Sequence, residues 1–169
     1  MIFAVGAAKV ESKRGVMKHR ENSSPITTLR RAIFLILLLG MLGTGAELIL
    51  LSHFEDRRQW IPLVLISLGL LTSGWHWARR SAPSIRVLQV ILCGFIASGF
   101  AGMYFHYQGS AEFKLESNPS LRGWSLFREA IRSKAPPLLA PGVMIQLGLL
   151  GLIFTYRHPA LGRSKEEGE

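Results

Sequence analysis

The feature that most restricts this chain is a set of apolar blocks, each about 17–20 residues long, with almost no charge inside them. A helical run of that length covers the roughly 30 Å hydrocarbon layer of a bilayer. The first block is 32–51, AIFLILLLGMLGTGAELILL, in which fifteen uncharged residues precede Glu47. Its twelve Leu, Ile and Phe residues contribute about −4 to −7 kcal/mol to insertion, against roughly +2.5 to +3.5 kcal/mol for an acid at the centre. Glu47 lies off-centre, so insertion wins. The second block is 61–77, opened by Trp60 and Pro62 and closed by Trp75, Trp77, Arg79 and Arg80. The proline suits a first helical turn, and the tryptophans suit the two interfaces. The third, 87–105, runs from Arg86 to YFHYQG. The fourth, 137–156, starts in an irregular APPLLAPG and ends at YRHP.

These blocks imply an all-α, four-span transmembrane helical bundle. A basic N-terminal tail (1–31) and a C-terminal tail (157–169) flank a membrane domain over 32–156. The 49% apolar content of the 169 residues would suit a soluble protein; its clustering does not. The +9 charge could suggest nucleic acid, but the cations gather at the block ends and no nucleic-acid motif accompanies them. The bilayer is therefore the expected partner, with a membrane protein or a second copy of the chain as further candidates. Cys93 is the only cysteine, so no disulfide forms within the chain.

With the N-terminus inside, thirteen Lys and Arg fall on the inner side and seven on the outer. The positive-inside rule then places both termini in the cytoplasm of a cell-membrane protein. A basic start, an apolar stretch and Thr44-Gly45-Ala46 together resemble a cleavable signal peptide. It continues apolar through Leu51, which suits an uncleaved span better. Met17 is an alternative start, because the segment before it has no evident role.

The outer loop, 107–136, carries two patterns. SAEFKLES alternates, with Phe113 and Leu115 opposite Glu112, Lys114 and Glu116, and reads as a short strand or extended lid. SLRGWSLFREAIRSK spaces Leu121, Trp124, Phe127 and Ile131 as the apolar face of an amphipathic helix, on the outer membrane surface or capping the bundle. Gly123 weakens that helix.

No phosphate loop, paired-cysteine metal motif, HExxH or GxSxG is present, nor any motif of four-span haem cytochromes or membrane metal hydrolases. Polar residues within the spans are the remaining guide. Gly94, Ser98 and Gly102 recur at four-residue steps and suit close helix packing, as do Gly40 and Thr44 in the first span. Glu47 shares the face of Gly40 and Thr44, and His106 continues the Gly94 face. Gln146 is expected at comparable depth. Hydrocarbon leaves such groups unsatisfied, so Glu47, His106 and Gln146 are expected to form an outward-facing polar pocket. His53 and Glu112 are weaker members, because His53 points away from Glu47 on a continued helix.

No cofactor is specified. Imidazole and carboxylate from Glu47, His106 and Glu112 could bind zinc, iron or manganese, although their spacing matches no metal signature. The later histidines form two layers, His53 with His106 and His76 with His158. Bis-histidine haems need such pairs, but these sit at the span edges. The leading expectation is a non-enzymatic accessory of transport or membrane-complex assembly that binds a proton, a cation or a small polar ligand. A Glu/His membrane enzyme and a haem redox subunit are the alternatives.

Overall fold

The computed structural model describes residues 25–133 and 139–166, and every regular element among them is helical. In chain order these are α1 (Pro25–Leu50), a 3-10 turn (Arg57–Gln59), α2 (Trp60–Arg79), α3 (Ala82–Ser117), α4 (Gly123–Ile131), α5 (Gly142–Thr155) and α6 (Pro159–Glu166). Three segments, α1, 57–79 and α3, are long and apolar enough to cross a membrane. Leu35, Leu39, Leu42, Leu71 and Val90 are each more than half exposed on them. Such a coat is unfavourable in water and ordinary against lipid.

α1 starts seven residues before the block 32–51. Pro25 suits the first helical position, and arginine is a good helix former. Arg30 and Arg31 therefore belong to the helix and not to a tail. The helix ends in a Schellman motif: His53 N–H donates to Leu48 C=O (2.8 Å), Ser52 N–H donates to Ile49 C=O (3.0 Å), and Ser52 has φ 53°. Two residues, Arg80 (φ 46°) and Ser81, link α2 to α3 in a tight antiparallel hairpin.

α3 has 36 residues, about 54 Å at 1.5 Å per residue, and so outruns a hydrocarbon layer of roughly 30 Å. Its last turns contain SAEFKLES, so the expected strand is a helix. Ala, Glu, Lys and Leu favour helix there, and α4 folds back onto α3, with Ser110, Ala111 and Ala130 all buried. A Tyr107–Phe127 ring contact (5.8 Å) and a Lys114–Glu129 pair (3.9 Å) hold this hairpin. The expected amphipathic helix is α4, and Gly123 supplies its left-handed start at φ 51°. It packs on α3 and leaves Trp124 72% exposed.

α5 covers only part of the block 137–156, and 134–138 lie outside the described residues. Its 14 residues amount to about 21 Å, less than the hydrocarbon thickness. α1 and α3 each pack against both α2 and α5, which sets α1 and α3 across a diagonal. The small-residue faces of α1 and α3 therefore do not pack mainly on each other. Ser98 bonds its own helix at Phe95 C=O (2.9 Å), and Thr44 is buried. Gly94 faces Leu65 of α2, Gly102 faces Pro141, and Gly40 faces Leu147 of α5.

The tightest seam is α3 against α5. A Cβ at Gly148 would lie 2.6 Å from Ile96 Cγ1 and 2.8 Å from the Leu92 carbonyl oxygen, and one at Gly99 would lie 2.5 Å from Ile145 Cγ1. Around these contacts Leu37, Met41, Ile85, Leu88, Leu92 and Phe95 are fully buried. They lie at three- and four-residue steps on the inward faces of α1 and α3.

Candidate functional site

A concavity lies at the end of the bundle where α1 begins. A cavity of about 640 Å³ sits between α1, α2 and the α5–α6 turn. α1 contributes one stripe to it: Ile26 and Thr27, then Arg30 and Arg31, then Phe34 and Leu35. These pairs recur every four residues, so they stack on one helix face. His76, Trp77 and Arg80 come from the end of α2, and Phe154, His158, Pro159 and Ala160 from the α5–α6 turn. The lining thus holds three guanidiniums and two imidazoles, with no carboxylate among the described residues.

Each cation is placed by local structure. Arg30 Nη1 donates to the carbonyls of Phe154 and Tyr156, both at 3.3 Å, and so neutralises the C-terminal end of α5. Arg80 takes the left-handed position that ends α2 and lies over the Trp77 ring at 6.0 Å. Arg31 and Arg80 meet no acid among the described residues. Phe34 stacks parallel to Trp77 (6.4 Å) and against Phe154 (4.8 Å), forming an aromatic wall below the guanidiniums.

The hydrogen-bond inventory assigns the imidazole tautomers. Ser84 Oγ donates to Ser81 C=O (2.7 Å), so its single hydrogen is committed. His76 Nδ1, 2.9 Å away, must then donate to Ser84 Oγ, leaving Nε2 as an acceptor. His158 Nδ1 accepts from Ala160 N–H (3.2 Å), so the neutral ring carries its proton on Nε2. The two rings meet edge to face with centroids 4.9 Å apart, a packed pair and not one spread around a metal. Burial, helped by the nearby His76, Arg30 and Arg80, lowers the His158 pKa to about 4. His158 is therefore a neutral Nε2–H donor at ordinary pH.

The residues expected in the outward-facing pocket lie elsewhere. Glu47 and Gln146 are exposed, and His106 is half-buried. Gly40 is level with Leu147, and α1 and α5 run antiparallel. Glu47, seven residues further along, is thus level with the turn before α5 and not with Gln146. His106 instead approaches His53, at 6.5 Å between centroids. The Schellman turn carries His53 back over the bundle, where a continued helix would have pointed it away. Burial and then the charge of His106 lower the His53 pKa. Arg58 lies 4.6 Å from the Phe105 ring beside this pair. Glu112 is exposed on α3, six residues past His106 and on another face. Among the described residues no three His, Cys, Asp or Glu side chains gather as a metal site.

In sequence His76 and His158 form a layer, whereas Arg30 and Arg31 fall in a tail and Arg80 in a loop, so nothing there brings the arginines to the histidines. Pro25 and the four-residue repeat Thr27, Arg31, Leu35 were the available signals. No family model, curated protein or solved structure matches this chain.

Proposed function

We propose that this chain is a small multi-pass protein of the cell membrane, with α5 as a fourth span and both termini in the cytoplasm. It acts as a non-enzymatic accessory of transport or membrane-complex assembly, and its working site is the cationic cavity at the cytoplasmic end, which binds an anion. One observation carries this reading: Arg30, Arg31 and Arg80 line a single cavity without a carboxylate among the described residues. Arg30 is half-buried and Arg31 and Arg80 are exposed at the mouth, and their planar donors fit carboxylate or phosphate oxygens. His158 Nε2–H adds a neutral donor. This set can bind and orient an anion, which is the task of an accessory and not of a bond-making site.

The test is thermal unfolding of the intact protein in a neutral detergent, at fixed ionic strength, with chloride replaced by inorganic phosphate. A ligand that binds only the folded state raises the midpoint in proportion to its occupancy. The expected result is a rise with phosphate that Arg31→Gln and Arg80→Gln each reduce. Equal midpoints in chloride and phosphate, with both variants unchanged, would overturn the reading.

A second reading rests on the contact of His53 with His106 at the opposite end. There the outward-facing site would take a proton or a cation. Stoichiometric zinc or iron in the purified protein, lost in His53→Ala and His106→Ala, would favour it.

A further inference from the structure

We infer that the cavity is the headgroup site of an anionic diacyl phospholipid, with the phosphate between Arg31 and Arg80 and an acyl chain lying down the outer face of α1. This rests on the anion-binding reading and goes further by naming the ligand class. The cavity is layered as an amphiphile is layered. Towards the chain terminus it holds Arg30, Arg31 and Arg80; one helical turn deeper it holds Phe34, Leu35 and Trp77. A free inorganic anion would have no use for that deeper layer.

The mouth adds a second, independent observation. Leu35 and Trp77 line the cavity and yet remain 62% and 65% exposed, so its apolar side opens outward. From Leu35 the exposed surface continues through Leu39 (72%) and Leu42 (57%) along one face of α1. Steps of four and three residues keep these side chains in one row. Leu35 to Leu42 is seven residues, about 10 Å of apolar track. A hydrocarbon tail anchored at Arg31 would follow it into the bilayer.

Charge agrees with this placement. Basic pockets between transmembrane helices on the cytoplasmic side recognise anionic headgroups, and each exposed arginine near that surface is worth about a fivefold change in binding. Arg31 and Arg80 meet no acid among the described residues, so no described carboxylate competes with a phosphodiester for either guanidinium. His158 Nε2–H is available to a third phosphate oxygen. Arg30 is partly engaged by Phe154 and Tyr156, which fixes the back of the site.

The experiment uses the intact chain, purified in a neutral detergent and stripped of lipid. Its thermal midpoint is followed against phosphatidylglycerol, phosphatidylcholine and glycerol 3-phosphate in separate arms, for wild type and for Arg31→Gln with Arg80→Gln. Phosphatidylglycerol is expected to bind at least tenfold more tightly than phosphatidylcholine. The double variant should weaken it by roughly thirtyfold, from about fivefold per arginine. Glycerol 3-phosphate should act only at far higher concentration. If glycerol 3-phosphate stabilises as well as phosphatidylglycerol, the lipid inference fails and the anion site stands. If no anion stabilises the wild type, both fail. Should the double variant not fold, either single variant serves, with helicity and monodispersity as the check. A Leu35→Gln variant that lowers phosphatidylglycerol affinity but leaves glycerol 3-phosphate unchanged would further support the acyl track; equal loss for both would remove it.

Discussion

His76 Nδ1 lies 2.9 Å from Ser84 Oγ, and this bond joins α2 to α3 across the two-residue link at their shared end. His76 is buried and Ser84 is fully buried. Ser84→Ala leaves the His76 N–H without its acceptor in an apolar setting. The expected cost is about 1 kcal/mol, on the scale of hydrogen bonds inside membrane proteins. Denaturation in mild detergent checks it. His76 also walls the cavity, so the variant should reduce phosphate stabilisation too. Ser84→Thr keeps the hydroxyl and should restore part of both, whereas equal loss in Thr and Ala variants would show that volume and not the bond matters.

Gly148 and Gly43 give opposite expectations for the same change. A Cβ at Gly148 would meet the Leu92 carbonyl oxygen at 2.8 Å, a backbone atom that yields only if α3 shifts. Gly43 has nothing within 4 Å. Gly148→Ala should destabilise the fold by about 1–3 kcal/mol of overpacking and so lower the thermal midpoint. Gly43→Ala should be neutral or slightly stabilising, because alanine favours helix more. Comparable midpoints for the two variants would mean that α3 and α5 are not in close contact.

What the sequence makes legible here follows from how far each signal reaches. The charge-free runs read directly as apolar helices, because a bilayer demands length and apolarity over a single segment. The face of α4 was legible for the same local reason: Trp124, Phe127 and Ile131 repeat at helical spacing. The alternation in SAEFKLES covers only a few residues, while the packing against it comes from α4, later in the chain, where Glu129 pairs with Lys114. The seam at Gly148 and Gly99 has no counterpart in the four-residue series Gly94, Ser98, Gly102. Gly99 lies off that series and packs on another helix. The cavity required three distant segments to meet, and Arg31 and Arg80 show no relation in sequence. Glu47 shares a helix face with Gly40 and Thr44, yet in the last turn of α1 its side chain is exposed, because neither face nor depth fixes which way a side chain turns at a helix end.

Orientation can be checked directly. Reporter fusions after Arg80 and after Arg163 should score as cytoplasmic, and a fusion after Ser120, in the turn between α3 and α4, as external. The motive is the excess of Lys and Arg on one side, thirteen to seven. An external score at Arg163 with a cytoplasmic score at Arg80 would mean an odd number of crossings. That would remove α5 as a complete span and place the α5–α6 turn away from Arg30, against the hydrogen bonds from Arg30 to Phe154 and Tyr156.

The pH dependence of stability isolates His158. Its pKa is held near 4 by burial first, then by His76, Arg30 and Arg80, against 6.5 in the absence of these effects. Between those values the unfolded chain binds a proton that the folded chain refuses. Stability therefore rises with pH across this window and falls on acidification from about pH 6.5, levelling near pH 4. His158 is only half-buried, so solvent screening keeps the expected difference at about 1 kcal/mol or below. His53 is lowered in the same direction, so the measurement is the difference in slope between wild type and His158→Gln, followed by detergent unfolding from pH 7 to pH 4. The variant should show the shallower slope. An anion in the cavity opposes the surrounding cations and raises the His158 pKa, so wild type loaded with phosphatidylglycerol should also flatten, while the variant should not respond. Parallel slopes in all three samples would mean that His158 keeps an ordinary pKa and does not face the cationic cavity.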